Sequence, residues 1–351
     1  MGDHPPLRVA WLDAAGPDAD IVVSSRIRVA RNVEGFPLKA KLSSAQEGEL
    51  ETILVGAIER SRLAQDITYQ ALKDKGPIDR RLLFERHLIS MEHLKSEGHH
   101  GVAHTELGDI SVMVNEEDHL RIQVLAAGQQ LAALLEKIEA LDERLAENVS
   151  FAFHPQFGYL TSCPTNVGTG MRISVMLHLP ALALSKLIEK VFNAVNKMNL
   201  AVRGFYGEAT EASGDFYQIS NQVTLGKTPD DLLSDLEKTI PKIVNYEREV
   251  RRGLMEEDER KILDDKVWRA YGILTSARTL SSEEAMQLLS HVRMGVNLGL
   301  LKGIELDTLN ELFLVIQPGH LQQLERRSLK PEERDIARAT YVRERLLGRS
   351  S

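Results

Sequence analysis

"DADIVVSSRIRVARN", residues 18–32, is the stretch whose reading decides the fold. Ile21, Val22 and Val23 lead into alternating residues. Successive side chains of an extended strand point to opposite faces, so Arg26 and Arg28 share one face and Ile27 and Val29 the other. The apolar face fixes the backbone that carries the two arginines.

Working outward, residues 43–64 read as a helix. Ser44 and Glu47 have the spacing of a capping box, and Leu50, Ile53, Leu54, Ala57 and Ile58 form one apolar stripe. Residues 109–128 read as two short strands around a polar turn, and 128–149 as a second amphipathic helix. Strands are expected at 149–154, 157–162 and 172–179, a helix from Ala181 to Met198, and strands again at 200–207 and 216–226. The texture changes after Gly226. Pro229 sits where a helix begins, with Asp230 and Asp231 in its first turn, favourable beside the helix dipole. Only helical periodicity follows. The expectation is an α+β chain: an N-terminal segment at 1–20, a mixed domain at 21–227 and an all-helical domain at 228–351.

The bulk composition narrows the class. The chain has 351 residues, 43% hydrophobic and 27% charged, as ordinary soluble proteins do. No apolar run is long enough to span a membrane. The first twenty residues show no secretory pattern, and "MGDHPP" lacks the Ser or Thr of a myristoylation signal. Cys163 is the one cysteine, which excludes an intrachain disulfide framework and makes the cytoplasm the expected compartment. A net charge of −8 argues against nucleic acid as the main partner and leaves room for basic proteins.

Arg26, Arg28, Arg121, Arg172 and Arg203 recur at strand edges and turns. Arginine presents a planar fork of donors that matches phosphate oxygens, so several converging on one point would suit a polyphosphate. Strand-end arginines reaching into solvent would have the same spacing. "VNEEDHLR", 114–121, packs Asn115, Glu116, Glu117, Asp118 and His119 between two apolar strands. It reads either as a site for a general base or as a solvated acidic turn. Glu208 stands five residues after Arg203 in a loop with glycines at 204, 207 and 214, suited either to motion over a site or to an ordinary connection. There is no Walker-type phosphate loop and no HRD or DFG set. "GHHGVAH", 98–104, reads as a loop rather than a metal site. On residues alone, Cys163 reads as a nucleophile, a buried structural thiol or a helper in other chemistry, and a lone thiol invites the first of these.

Taken in order, "SSRIRVARN", "NEEDHLR", "TSCPTNVGTGMR", "RGFYGE" and "ISNQVTLG" resemble the ATP:guanidino phosphotransferases, over roughly 21–226. The resemblance implies a central antiparallel sheet flanked by helices, and transfer of the γ-phosphoryl of MgATP to a guanidinium nitrogen. It implies nucleotide contacts along Ser24, Ser25, Arg26, Ile27 and Arg28, at His87 and Arg121, along Arg172, Ile173, Ser174, Val175 and Met176, and along Arg203, Gly204, Phe205, Tyr206, Gly207 and Glu208. Glu117 matches the catalytic carboxylate and Glu208 a second substrate carboxylate. Cys163 matches a thiol beside the acceptor guanidinium. No protein-held metal is implied, Mg²⁺ being carried by ATP.

Two features are similar to the protein-arginine kinase branch of that family. Only about twenty residues precede the first arginine motif, and the extra helical domain is C-terminal. "RDIARA" (Arg334, Asp335, Ile336, Ala337, Arg338, Ala339) resembles that branch's phosphoarginine-binding motif; without it, Arg334 and Arg338 read as solvated helix charges. The branch implies protein substrates with exposed arginines, marked for Clp-type degradation in stress regulation, and a homodimer through the C-terminal helices. An activator protein is a further implied partner, and nucleic acid is reached only through a regulator. The alternatives are a free-guanidino kinase and a phosphoarginine-binding adaptor without catalysis.

Overall fold

The structure is a computed structural model and describes residues 9–204 and 214–348. Its strands are β1 (Val22–Arg31), β2 (Thr68–Ala71), β3 (Gly101–His104), β4 (Ile110–Val114), β5 (Leu120–Ala127), β6 (Phe153–His154), β7 (Gly158–Tyr159), β8 (Met171–His178), β9 (Leu200–Gly204) and β10 (Phe216–Asn221). Eight of them form one sheet in the order β2-β3-β4-β5-β1-β8-β10-β9, while β6 and β7 form a separate hairpin. Every pairing in the large sheet is antiparallel. β1 lies between β5 and β8, with Arg28 opposite both Gln123 and Arg172.

The alternation in β1 explains the layers. Ile27 and Val29 join Ile122, Val124, Ile173, Val175 and Ile219 in one core. That face is covered by α1 (Ser44–Ser61), by α4 (Leu131–Ala146), which packs directly on β1 and β5, and by α7 (Pro229–Gly253). Between α1 and α4 run α2 (Pro77–Glu85) and α3 (Met91–Lys95); α5 (Pro180–Leu184) and α6 (Ile188–Lys197) precede β9. The helical end contains α8 (Glu257–Ser276), α9 (Ser282–Asn297), α10 (Leu306–Val315), α11 (Pro318–Leu324) and α12 (Pro331–Leu346). Its second core takes in Leu125, Met176 and Phe216, which stand at the alternate positions of their strands and so face the other way, and Val23, where the β1–β8 register shifts between Val22 and Ser24. The helical bundle therefore docks on part of the face that carries the arginines.

Several sequence expectations change in detail. The α1 capping box is made one residue earlier: the Ser43 side chain accepts from the Gln46 amide, and the Gln46 side chain accepts from the Ser43 amide. The helix expected at 181–198 is two, broken where Lys186 takes a φ of 59°. Strands do give way to helices after 226, but Leu232, Leu236, Ile240, Ile243 and Val244 of α7 pack in the core of the sheet. We propose that the helical unit begins after Gly253 rather than at 228. The N-terminal segment is not separate either, because Val9, Trp11 and Leu12 join the helical core.

Buried charge ties the helical unit to the sheet and, within the sheet unit, α7 to α5. Arg293 of α9 is almost wholly buried and donates to the carbonyls of Ala19 and Asp20, just ahead of β1. Glu247 of α7 is fully buried and accepts from the Ala181 and Leu182 amides and from Arg251. Helix N-termini leave unsatisfied amides, so a carboxylate there holds α5 against α7.

Candidate active site

A cavity of about 890 Å³ opens on the arginine face of the sheet. β1 supplies Arg26 and Arg28, β5 Arg121, β8 Arg172 and β9 Arg203. Glu116 and Glu117 come from the β4–β5 turn, Cys163 from the segment before β8, and His87 from the segment after α2. Nine residues singled out in the sequence thus meet around one space, drawn from positions as far apart as 26 and 203.

The electrostatics of the cavity are lopsided. Burial, followed by repulsion from Arg121, Arg172 and Arg203, brings the Arg26 guanidinium down to about 10. Burial and then Arg203 and Arg121 bring Arg172 to about 10, with Cys163 acting in the opposite sense. Arg28 is driven well below the usual arginine value, first by burial and then by Arg26, Arg121 and Arg172; Glu116 opposes the shift. Its Nε is buried without a hydrogen-bond partner among the described residues. Like charges on adjacent strands repel, and Arg28 stands directly across from Arg172. Such a cluster is matched by a polyanion, whose oxygens satisfy the guanidinium forks. Burial, then Arg26 and Arg28, lowers His87 to about 3, so it is a neutral imidazole at neutral pH. The Trp11 ring meets it edge-on, with centroids 4.8 Å apart.

The acidic turn is largely buried, not solvated. Asn115, Glu116, Asp118 and His119 are buried and only Glu117 is exposed. Asn115 has a φ of 58°, and its amide donates to the carbonyls of Glu47 and His99. Burial alone would raise Glu116, but Arg121, the Ser90 hydroxyl and the Glu117 amide together hold it below the usual glutamate value. Asp118 accepts from Asn32 Nδ2 at 2.7 Å and from the Ser162 amide at 2.6 Å. The Ser162 hydroxyl donates to the Glu117 carbonyl at 2.8 Å. The Cys163 segment is therefore fastened to the Glu117 turn. Glu117 itself, only partly shielded from solvent, is raised by that partial burial and by Asp118, Glu116 and Glu92, against the pull of Arg121. Cys163 Sγ lies 3.0 Å from Thr165 Oγ1.

The runs expected to touch nucleotide divide by strand parity. Ser24, Ser174 and Met176 line a small recess beside Arg26 and His87. Ile27, Ile173 and Val175 point into the core on the other face and do not reach the cavity. Ser25 is also turned away: its hydroxyl donates to the Gly128 carbonyl and accepts from the Gln130 amide. Gly204 is buried at the end of β9, opposite Tyr217. Phe205, Tyr206, Gly207 and Glu208 lie outside the described residues.

The C-terminal motif is also arranged differently from the expected pair of phosphate-gripping arginines. Arg338 is buried, and its guanidinium donates to the carbonyls of Ile316 and Leu280 and to Asp335. Those bonds join α12 to the ends of other helices, so here it braces the bundle. Arg334 is partly exposed and donates to the Leu329 carbonyl. Ile336 is exposed, Ala337 half-buried and Ala339 fully buried.

Sequence reasoning missed Gln218, whose Oε1 accepts from Arg26, and Ser90, which bonds Glu116. Gln218 had a signal: the alternation of β10 puts it on the same face as the arginines, level with Arg203 across the strand pair. Ser90 had none, because its partner is 26 residues away.

Comparison with known proteins accords with this geometry. Residues 49–250 match the ATP:guanido phosphotransferase C-terminal catalytic domain, and residues 260–351 match the protein-arginine kinase McsB C-terminal domain. The chain is 45% identical over 340 residues to a protein-arginine kinase of Geobacillus stearothermophilus, covering 96% of this chain and 93% of that one. It is 47% identical over 345 residues to one of Symbiobacterium thermophilum, covering 96% of each. Among solved structures, a lombricine kinase aligns at 27% identity with a TM-score of 0.58, over 69% of this chain and 70% of that one. The duplicated taurocyamine kinase of Schistosoma mansoni aligns at 31% identity with a TM-score of 0.60, over 69% of this chain and 34% of that one. On these matches the chain belongs to the ATP:guanido phosphotransferase family and carries that family's catalytic domain ahead of a McsB-type C-terminal domain.

Proposed function

We propose that this chain is a protein-arginine kinase, transferring the γ-phosphoryl of ATP to a guanidinium nitrogen of an arginine side chain in a protein. The observation that carries the reading is the convergence of five arginines from four strands on one cavity, with Glu117 and Cys163 on its rim. The arginines suit a nucleotide polyphosphate. Glu117 and Cys163 suit a guanidinium. The names of the full-length relatives supply the protein acceptor.

The chemistry follows from the placement. A nitrogen lone pair of the acceptor guanidinium forms the new N–P bond while the bond from the γ-phosphorus to its bridging oxygen breaks, and ADP leaves. A guanidinium is a weak nucleophile because its lone pairs are delocalised, so a carboxylate must align it and accept its proton. Glu117 has that role, and its raised affinity for protons favours it. Cys163 helps hold the acceptor. Arg26, Arg28, Arg121, Arg172 and Arg203 stabilise charge spread over the phosphoryl oxygens, and in-line alignment does much of the rest. The neutral His87, with Trp11 behind it, is the adenine contact. Glu208 is the second carboxylate toward the acceptor. The cavity's donors are mainly guanidinium groups, so they fit phosphate oxygens rather than a bare cation, and Mg²⁺ enters as the partner of ATP.

Four further elements complete the reading: a cytoplasmic location, marking of targets for Clp-type degradation under stress, an activator protein, and effects on nucleic acid only through a phosphorylated regulator. No described helix is long and apolar enough to cross a membrane. Self-association through the C-terminal helices is supported by the exposed Ile262 and Trp268 on α8. The Arg334–Ala339 motif remains the proposed phosphoarginine contact, through Arg334 and after release of Arg338 from its carbonyls.

Incubation with MgATP and either a basic protein or free arginine, followed by mass spectrometry without acid, tests the core claim. Phosphate on protein arginine is the expected result. Phosphate on free arginine alone would make the chain a free-guanidino kinase. Cys163→Ser is expected to slow protein phosphorylation up to ~10²-fold through looser placement of the acceptor, without abolishing it. Trapping a phosphocysteine in the wild type would contradict direct transfer.

A further inference from the structure

The wall that carries Cys163 has a second side. A groove of about 490 Å³ lies there, lined by Tyr159, Met171 and Leu225 and flanked by Phe153 and Phe157. Its acidic edge is Glu139, Asp142 and Glu143 of α4. Twelve large hydrophobic side chains are exposed among the described residues, and three of them line this groove: Phe153, Phe157 and Leu225. Phe153 is 59% and Phe157 50% exposed. Such a concentration marks a binding surface rather than the scatter of single apolar residues that every protein shows.

The partition between groove and cavity is thin and rigid. Thr165 and Asn166 line the catalytic cavity, whereas Gly168 and Thr169 line the groove. Val223 faces the cavity and Leu225 the groove. The Thr224 hydroxyl bonds the Thr165 and Val167 carbonyls at 2.9 and 2.7 Å, clamping the two segments together. Gly168 has a φ of 117°, and a Cβ there would stand 2.7 Å from the Thr224 carbonyl. No side chain larger than hydrogen fits between them. An extended peptide advances ~3.3 Å per residue, so a few residues carry it from the acceptor end of the cavity across one chain segment into the groove.

The groove already displays its preferred chemistry. The Arg31 guanidinium carbon sits 3.5 Å above the Tyr159 ring centre, and its Nε bonds both oxygens of Asp142 at 3.0 and 3.1 Å. Glu139 and Glu143 make no ion pair among the described residues, and the nearby Lys227 is paired with Asp235. Slight burial, then Asp230, Glu143, Asp142 and Glu136, raise the Glu139 carboxyl, the mark of unneutralised negative charge. Open carboxylates beside exposed aromatic faces call for a cation with an apolar stem or neighbour.

We propose that this groove is an exosite for the stretch of a protein substrate flanking the acceptor arginine, and that it selects flanks combining lysine or arginine with an apolar residue. The proposal rests on the protein-arginine kinase reading. The test compares the wild type with the double variant Glu139→Gln/Glu143→Gln and with Phe157→Ala, none of which touches the catalytic cavity. Two peptides carry one arginine each, flanked by lysine and leucine or by glycine and serine. The variants should raise KM for the first peptide at least ~10-fold with kcat unchanged, and leave kcat/KM for the second within about twofold. Unchanged KM, or equal losses on both peptides, would overturn the exosite. If the wild type phosphorylates no peptide or protein, the kinase reading fails. The exosite is then still judged by fluorescence anisotropy with the lysine–leucine peptide, binding being weakened in both variants or not. A changed sedimentation coefficient of the variants alone would show that the groove holds a second copy and defeat the substrate assignment.

Discussion

Glu117→Gln is expected to lower kcat for protein phosphorylation by ~10²- to 10⁴-fold while leaving ATP affinity within a few-fold. Glutamine keeps the shape and can still accept a hydrogen bond from the acceptor. It cannot take up the proton that leaves the attacking nitrogen. The neighbouring Glu116 is unsuited to the role, because it is buried and held by Arg121, Ser90 and the Glu117 amide. Glu117 is exposed, and its side chain makes no hydrogen bond among the described residues, so the substitution should change stability by no more than ~0.5 kcal/mol. The acid side of the pH profile carries the same information. A base works deprotonated, so activity rises with pH through the Glu117 pKa. Burial and the surrounding carboxylates raise that value, so the limb should lie above the ordinary glutamate range and be lost in the variant. A variant that phosphorylates protein at near the wild-type rate would remove Glu117 from the mechanism.

Arg28→Met should produce opposite effects on activity and stability. Arg28 is held among Arg26, Arg121 and Arg172, with a buried Nε that finds no partner among the described residues. Without nucleotide, that arrangement is a cost to the fold: buried like charges repel, and a buried donor goes unsatisfied. Methionine keeps the apolar stem and removes the charge. The unliganded variant should gain ~0.5–2 kcal/mol of stability, seen as a higher Tm, the trade expected where a strained site serves function. Its kcat/KM for ATP should fall ~10²- to 10³-fold, as for loss of one preorganised donor to a transferring group. Nucleotide should raise the wild-type Tm far more than that of the variant. A less stable variant with unchanged ATP dependence would show that Arg28 is an ordinary structural cation.

Much of the catalytic sheet was legible because strands carry their own parity. In "SSRIRVARN" the two-residue period separates arginines from core residues without knowledge of any partner. The same parity shows why whole runs were too generous. Ile27, Ile173 and Val175 lie between cavity residues in sequence but on the opposite face of the sheet. The acidic turn was ambiguous for a different reason. Whether Asn115 and Asp118 are solvated depends on Glu47, His99, Asn32 and Ser162, which reach them from distant segments.

The amino-acid sequence by itself determined the strand β1, the helices α1 and α4, the change to an all-helical texture after Gly226 and the arginine-bearing faces, since each follows from local periodicity and the motifs it carries; residues 98–104, read as a loop, instead contain β3. Only the tertiary structure decided that α7 packs with the sheet, that Trp11 backs His87, that Arg338 ties α12 to the ends of two other helices, and that a cationic cavity and an acidic aromatic groove share one thin wall. The physical reason is common to all four. Burial and charge–charge interaction depend on distance in space, and the groups concerned come from segments that no local pattern links. Arg28 and Arg172 are 144 positions apart in the chain (172 − 28), yet directly opposed across two strands.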